Sequence, residues 1–357
     1  MVALLLALCL AAAPPPPATK PAALPAPAAV RAAFKKQLDR PRVPLDPKLA
    51  GSTTAADGTV TERLSIASEK KRDGTIERVP MLIVRPAPGT APQRRPAVIV
   101  LHGTGGNKEG QRDWLARLAS RGIIGVAIDA RYHGERAGGA QGADAYNAAI
   151  VTAWKAKPAE QEHPFYFDTV WDLWRTIDYL ETRADVDAGR LGMIGFSMGG
   201  IQTWLAASVD QRIKVAVPAI AVQSFKYSLE NQQWQGRAKT IAPAHEAAAH
   251  DLGEPAVNAR VCRALWSKLI PGILDRFDGP SMLRLFAPRP LLIANGELDP
   301  NCPIAGARIA FDSVRAAYKS AGAADHLEIL VAPATAHKVT DEQHAAALAW
   351  FVRWLAP

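Results

Sequence analysis

The stretch Arg190-Leu191-Gly192-Met193-Ile194-Gly195-Phe196-Ser197-Met198-Gly199-Gly200 runs from an apolar segment into a Gly-x-Ser-x-Gly pentapeptide. Leu191, Met193 and Ile194 read as a strand. Ile201, Trp204, Leu205 and Val209 follow at helical spacing. Strand, tight turn and helix together form the setting in which a serine is presented as a nucleophile. Such a turn forces the serine into strained backbone geometry. The positions two before and two after it must lack bulk, and both are glycine, Gly195 and Gly199. Ser197 is therefore the candidate nucleophile, exposed at a strand's C-terminal end over the start of a helix. A glycine-rich turn that merely carries a serine is the plainer alternative.

Working outward, the same alternation repeats. Residues 97–101 (Ala-Val-Ile-Val-Leu) are a continuous apolar run, as expected of a strand buried on both faces. Residues 109–120 have helical spacing, 123–128 are the next apolar strand, and 167–180 form an amphipathic helix through Val170, Trp171, Trp174, Ile177 and Leu180. Strands are expected at 213–221, 290–294 and 327–331, and helices at 305–320 and 341–355. Strands alternating with helices predict a mostly parallel, doubly wound α/β sheet, whose functional loops gather at the strands' C-terminal ends. Upstream, 60–68 and 76–85 flank an Arg72-Asp73-Gly74 turn and predict an antiparallel hairpin. Two segments break the alternation, 138–162 and 222–285. Both leave from the functional edge of the sheet and are expected to wall a substrate pocket, the longer one as a lid with helices possible near His245 and at 261–270.

The N-terminal part has a different composition. Residues 2–13 are nearly all Leu and Ala, too short to span a bilayer and about the length of a signal-peptide core. Residues 1–13 are read as a signal peptide, which predicts a secreted or periplasmic protein with no stable membrane insertion. Residues 14–58 are read as a Pro/Ala-rich linker and basic arm, with a short helix possible at 31–38. The folded domain is expected at 59–357. Seven Lys/Arg against two acids between Lys20 and Lys48 account for five of the formal net charge of +8. No basic face is interleaved with aromatics, so nucleic-acid binding is not indicated. Cys262 and Cys302 are read either as a disulfide or as two buried thiols. The histidines are scattered and no Cys-x-x-Cys occurs, so no metal site is expected.

A serine hydroxyl needs a base to remove its proton, and that base is normally a histidine oriented by a carboxylate. The order serine, acid, histidine fits the later strand ends. Asp299 follows the strand at 290–294 and is the candidate acid, with Glu297 as its rival. His337 follows the last strand and is the candidate base, whereas His326 and His344 lie elsewhere in the pattern. The oxyanion needs backbone N–H donors. These are expected from Met198, just after the nucleophile, and from Thr104 in the small-residue loop His102-Gly103-Thr104-Gly105-Gly106. Asp129 and His133, in Asp129-Ala130-Arg131-Tyr132-His133-Gly134, are assigned structural or pocket-lining roles.

These motifs together resemble the α/β-hydrolase family over about residues 59–357. Within it the chain looks most like the dienelactone-hydrolase and acetyl-xylan-esterase group. Asp185-Val186-Asp187 leading into Arg190-Leu191-Gly192 also resembles the catalytic domain of prolyl oligopeptidases. The resemblance implies a triad of Ser197, Asp299 and His337 with no metal and no organic cofactor. It implies a serine carboxylesterase acting on a small-molecule or carbohydrate ester, acetylated carbohydrate among them. A small serine peptidase is the alternative, although the residues before 59 are too few for the propeller of that group. Serine stands where dienelactone hydrolases proper carry cysteine. Phe225, Tyr227, Trp234 and Trp266 in the lid segment are read either as a substrate-binding surface or as the lid's own small core. The oligomeric state is left open.

Overall fold

The computed structural model describes residues 24–87 and 93–356. The proposed signal peptide, 1–13, and the first part of the linker lie outside these residues. Among the described residues nine strands form one sheet: β1 (Lys48–Thr54), β2 (Val60–Lys70), β3 (Ile76–Arg85), β4 (Arg95–Leu101), β5 (Ile124–Ile128), β6 (Val186–Phe196), β7 (Ile213–Ala219), β8 (Leu291–Gly296) and β9 (Leu327–Ala332). Their order is β1-β2-β3-β5-β4-β6-β7-β8-β9. Strands β1, β2 and β3 are antiparallel, and β3 also pairs antiparallel with β5. From β5 through β4 to β9 every pairing is parallel. The expected hairpin is β2–β3, and the expected doubly wound sheet is the remainder.

The helices are α1 (Pro27–Leu38), α2 (Arg112–Ala119), α3 (Asp144–Lys155), α4 (Phe167–Thr182), α5 (Met198–Val209), α6 (Phe225–Glu230), α7 (Gln235–Lys239), α8 (Ala242–Asp251), α9 (Ala259–Leu269), α10 (Gly279–Leu283), α11 (Ile304–Ser320) and α12 (Asp341–Leu355). They cover both faces of the sheet, so the central strands are buried on both sides. Val98, Ile99 and Val100 of β4 are fully buried for that reason. One apolar cluster joins the sheet to α1, α4, α5, α11 and the helices between β7 and β8. A second lies on the other face under α2 and α12.

Three features depart from the sequence reading. First, ordered structure begins before residue 59. Helix α1 buries Val30, Phe34 and Leu38 in the main cluster, and β1 extends the sheet. Phe34 meets Phe167, Trp174 and Phe277 edge to face, with ring centroids 5.3, 6.3 and 4.9 Å away. The sequence reading anticipated a short helix at 31–38 but not its packing on the core, which rests on few side chains set in a Pro/Ala-rich segment.

Second, α4 is buried nearly all round, not on one face only. Its polar side chains belong to an ion-pair network under the N-terminal segment. Arg131 Nε donates to Asp172 at 2.7 Å, and Arg136 Nη1 donates to Asp172 at 2.9 Å. Arg40, just beyond α1, reaches Glu69 at 2.7 Å and also pairs with Asp168. The two arginines hold the Asp172 carboxyl well below the usual carboxylate range, against a burial that would raise it.

Third, the two irregular segments carry more helix than the two stretches anticipated near His245 and at 261–270, which are α8 and α9. The 138–162 segment contains α3, and 222–285 contains α6 to α10. Helix α3 packs against α8 and α9, so the two segments form one unit. Phe225 and Trp266 are fully buried, and Trp234 nearly so. Those three aromatics belong to the main apolar cluster that joins the insertion to the sheet, and Tyr227 is half-buried. Cys262 and Cys302 are both buried free thiols.

Candidate active site

Strand β6 ends at Phe196 and α5 begins at Met198, leaving Ser197 alone in the turn with φ 53° and ψ −112°. Few non-glycine residues adopt that geometry. It is held by the Ser197 N–H, which donates to Ala219 O of β7 at 2.9 Å. The flanking glycines are required by contact. A Cβ at Gly195 would lie 2.1 Å from Gly199 O, and one at Gly199 would lie 2.6 Å from both Leu101 O and His102 O. One at Gly200 would lie 2.5 Å from Ala221 Cβ. The turn is thus clamped between the ends of β4 and β7.

The structure brings Ser197, His337 and Asp299 together from three strand ends. His337 Nε2 is 2.7 Å from Ser197 Oγ, and His337 Nδ1 is 2.7 Å from Asp299 Oδ2. The second oxygen of Asp299 accepts the N–H groups of Asn301 at 2.8 Å and Cys302 at 3.2 Å. The Asp299 side chain is fully buried, while that of His337 is 24% exposed. A carboxylate bound at both oxygens can fix the imidazole's orientation and tautomer: Nδ1 carries the proton, and Nε2 is free to accept one from Ser197. The acid and base loops interlock. Leu298 N–H donates to Thr335 O, and a Cβ at Gly296 would lie 2.2 Å from Ala336 O.

Glu297, the rival acid, is not in this arrangement. Its carboxylate accepts the N–H of Ala334 at 2.9 Å, and so braces the loop that carries His337. His344 accepts from Trp114 Nε1, and His326 contacts Pro288 O, both away from Ser197.

The loop after β4 lies beside the elbow. A Cβ at Gly103 would be 3.4 Å from Phe196 O and 3.7 Å from Ser197 Cβ. Thr104 is the next residue on this loop, and Met198 opens α5 directly after Ser197. His102 anchors the loop. Its Nδ1 donates to Gly103 O at 2.8 Å and its Nε2 accepts the N–H of Ala130 at 3.1 Å. That pairing uses the neutral imidazole, and burial lowers its pKa accordingly. This bracing role of His102 was missed at the sequence level. The only signal for it was an apolar strand running straight into His-Gly.

Asp129 is fully engaged in structure. It accepts from Lys108 N at 2.8 Å, Lys108 Nζ at 2.9 Å and Glu135 N at 3.0 Å. His133 is fully buried, and its pKa is pushed down to about 4, first by burial and then by neighbouring His102. Its Nδ1 contacts Arg131 O, and its Nε2 has no partner. Among the described residues, no cluster of three or more His, Cys, Asp and Glu side chains is placed to hold a metal ion.

The twisted, mostly parallel sheet with this elbow is that of an α/β-hydrolase. Comparison with known proteins narrows the class. Residues 83–251 match the dienelactone hydrolase family. A putative hydrolase of Bacillus subtilis strain 168, YtaP, is 25% identical over 292 residues, covering 78% of this chain and 84% of that one. An acetyl xylan esterase from Paenibacillus sp. R4 superimposes with a TM-score of 0.64 at 20% identity, covering 91% of this chain and 92% of that one. A glucuronoyl esterase from Solibacter usitatus does so with a TM-score of 0.63 at 14% identity, over 93% and 92%. The chain thus has the α/β-hydrolase fold, and its residues 83–251 are similar to the dienelactone hydrolase family.

Proposed function

We propose that the protein is a serine carboxylesterase acting through an acyl-enzyme. The observation that carries this reading is the continuous chain Asp299–His337–Ser197, with both links at 2.7 Å. His337 Nε2 takes the Ser197 proton as Oγ attacks the ester carbonyl carbon. The oxyanion forms against the N–H groups of Met198 and Thr104. His337 then gives its proton to the departing alcohol oxygen. Water adds to the acyl carbon as it loses a proton to His337, and His337 returns that proton to Ser197 Oγ as the Oγ–acyl bond breaks and the carboxylic acid leaves. Asp299 stays ionised throughout and stabilises the imidazolium.

The substrate class is a carboxylic ester of a small molecule or carbohydrate, with acetylated carbohydrate as one candidate. Support for an ester over an amide comes from leaving-group chemistry. An amine must be protonated as it departs, and a peptidase needs further groups to hold the chain on both sides of the bond. The enzyme is proposed to work outside the cytoplasm, on the strength of the apolar leader at 2–13. Among the described residues no helix is long and apolar enough to cross a membrane. N-terminal sequencing of protein from a secreting host should find a start between residues 13 and 20; an intact Met1 would remove the export proposal.

The deciding experiment compares parent and Ser197→Ala on p-nitrophenyl acetate, an acetylated xylo-oligosaccharide and a matched anilide. Loss of the nucleophile should lower kcat by about three or more orders of magnitude. The ester should be cleaved at least roughly tenfold faster than the anilide, or about 1.4 kcal/mol of barrier. Near-parental activity in Ser197→Ala overturns the mechanism. Faster cleavage of the anilide moves the assignment to a peptidase.

A further inference from the structure

The helices between β7 and β8 reach the acid loop. Gly236 and Arg237 sit in α7. A Cβ at Gly236 would lie 2.1 Å from Pro300 O, so helix and loop backbones touch where glycine alone fits. Arg237, next in the chain, is 2% exposed. Its Nη2 donates to Asn301 O at 3.1 Å and to Cys302 Sγ at 3.5 Å. The N–H groups of those same two residues are the ones that bind Asp299 Oδ1. Arg237 therefore grips the turn that aims the carboxylate.

A buried guanidinium is costly unless its surroundings favour the charge. Here burial opposes the charge, but Tyr166, Cys302 and Asp299 favour it and hold the pKa above its ordinary value. The Arg237 guanidinium carbon also lies 5.9 Å from the Phe225 ring centroid. Its Nε has no partner. The titratable groups that face it are Tyr166 ahead of α4, Tyr146 on α3, and Asp299 and Cys302 on the acid loop. Among these neighbours Arg237 is the cation.

We propose that Arg237 is a positioning residue for Asp299, fixing the 299–302 turn and placing a positive charge near the carboxylate. The insertion thereby completes the active site instead of only walling it. This rests on the reading of Ser197 as nucleophile. Arg237 acts through Asp299, so its loss should be felt in turnover more than in substrate binding. Removing a cation beside Asp299 makes the triad less positive, so the acid limb of the kcat/KM profile should move to higher pH.

The test measures kcat, KM and the pH profile on p-nitrophenyl acetate for the full chain and for Arg237→Met, Arg237→Gln and Arg237→Lys, with circular dichroism to check folding. Arg237→Met and Arg237→Gln should lower kcat tenfold or more, with KM within about threefold of the parent, and should raise the acid limb. Arg237→Lys, which keeps the charge and a donor, should recover part of kcat and the original limb. If Arg237→Met fails to fold, the Gln and Lys pair decides by the same criteria. A rise in KM at constant kcat would make Arg237 a substrate contact and overturn the proposal. Unchanged kcat and pH profile in Arg237→Gln would reduce it to packing, with the same result. Ser197→Ala run alongside separates the two readings. If it abolishes hydrolysis while the Arg237 variants behave as parent, only this inference fails; if it retains activity, the mechanism itself fails.

Discussion

Two carboxylates two residues apart, Glu297 and Asp299, have opposite fates. Both follow β8, and strand position alone favours the nearer one. The turn decides otherwise: Glu297 binds the N–H of Ala334, while Asp299 turns inward to two N–H groups and His337. Asp299→Asn should therefore lower kcat by about 10⁴-fold, the order seen when a triad aspartate is replaced by its amide. Glu297→Gln keeps an acceptor for Ala334 and should leave kcat within about threefold. Steady-state kinetics on one ester checks both, and equal losses would return Glu297 to contention. The glycines of the elbow are equally specific. Gly199→Ala puts a methyl 2.6 Å from two carbonyl oxygens of the β4 end. The loop carrying Thr104 must then move, so activity should fall at least tenfold even where the variant folds; a normal rate would mean that loop placement does not matter.

At the scale of elements, α1 is the instructive case. Its three buried side chains cover the outer side of α4, which is why a helix with an amphipathic pattern ends up enclosed. Phe34→Ala removes a fully buried ring from three edge-to-face contacts and should cost about 3 to 5 kcal/mol. Urea denaturation measures this, and a loss below about 1 kcal/mol would mean α1 is not part of the core. The parallel strands and the elbow were legible in the sequence because each bears a strong local signature: unbroken apolar runs, a glycine-bracketed serine, and loops of fixed order. Strand β1 and the docking of α1, whose helix was anticipated only as a short piece at 31–38, were not, because proline and alanine dominate the composition around them and their partners lie far along the chain. The ion-pair network was illegible for a similar reason. Asp168 and Asp172 read as the solvated face of α4 until Arg40, Arg131 and Arg136 arrive from other elements. Arg237 bore no motif at all; its meaning comes from contact with a loop that is distant in sequence.

Across the whole molecule, buried ionisable groups set how stability responds to acid. His133 and His245 are each pushed down to about 4, burial being the larger cause. In the unfolded chain their value is 6.5. Between those limits the unfolded state binds more protons, so their contribution is complete above pH 6.5 and shrinks as pH falls toward 4. His102 is lowered too, again by burial. Asp278 works in the opposite direction. Burial pushes it up to about 6 from 3.8, so over that window the folded state gains a proton as pH drops. His344, half-buried, is lowered by burial as well, and four histidines against one carboxyl leave a net loss. Each pKa unit is worth about 1.4 kcal/mol, so the fall from pH 7 to 5 should amount to a few kcal/mol. Asp168, Asp172 and Glu77 are all held low by arginines, against burial, and their contribution disappears only at still lower pH. Thermal unfolding at pH 7, 6 and 5 should show Tm dropping across the series. His245 lies in the insertion, away from Ser197, with its ring accepting from Trp266 Nε1 at 3.0 Å. His245→Gln keeps an acceptor there but cannot be protonated. It should flatten the slope of Tm against pH while leaving kcat near parental. A steep, unchanged slope in that variant would assign the acid sensitivity elsewhere.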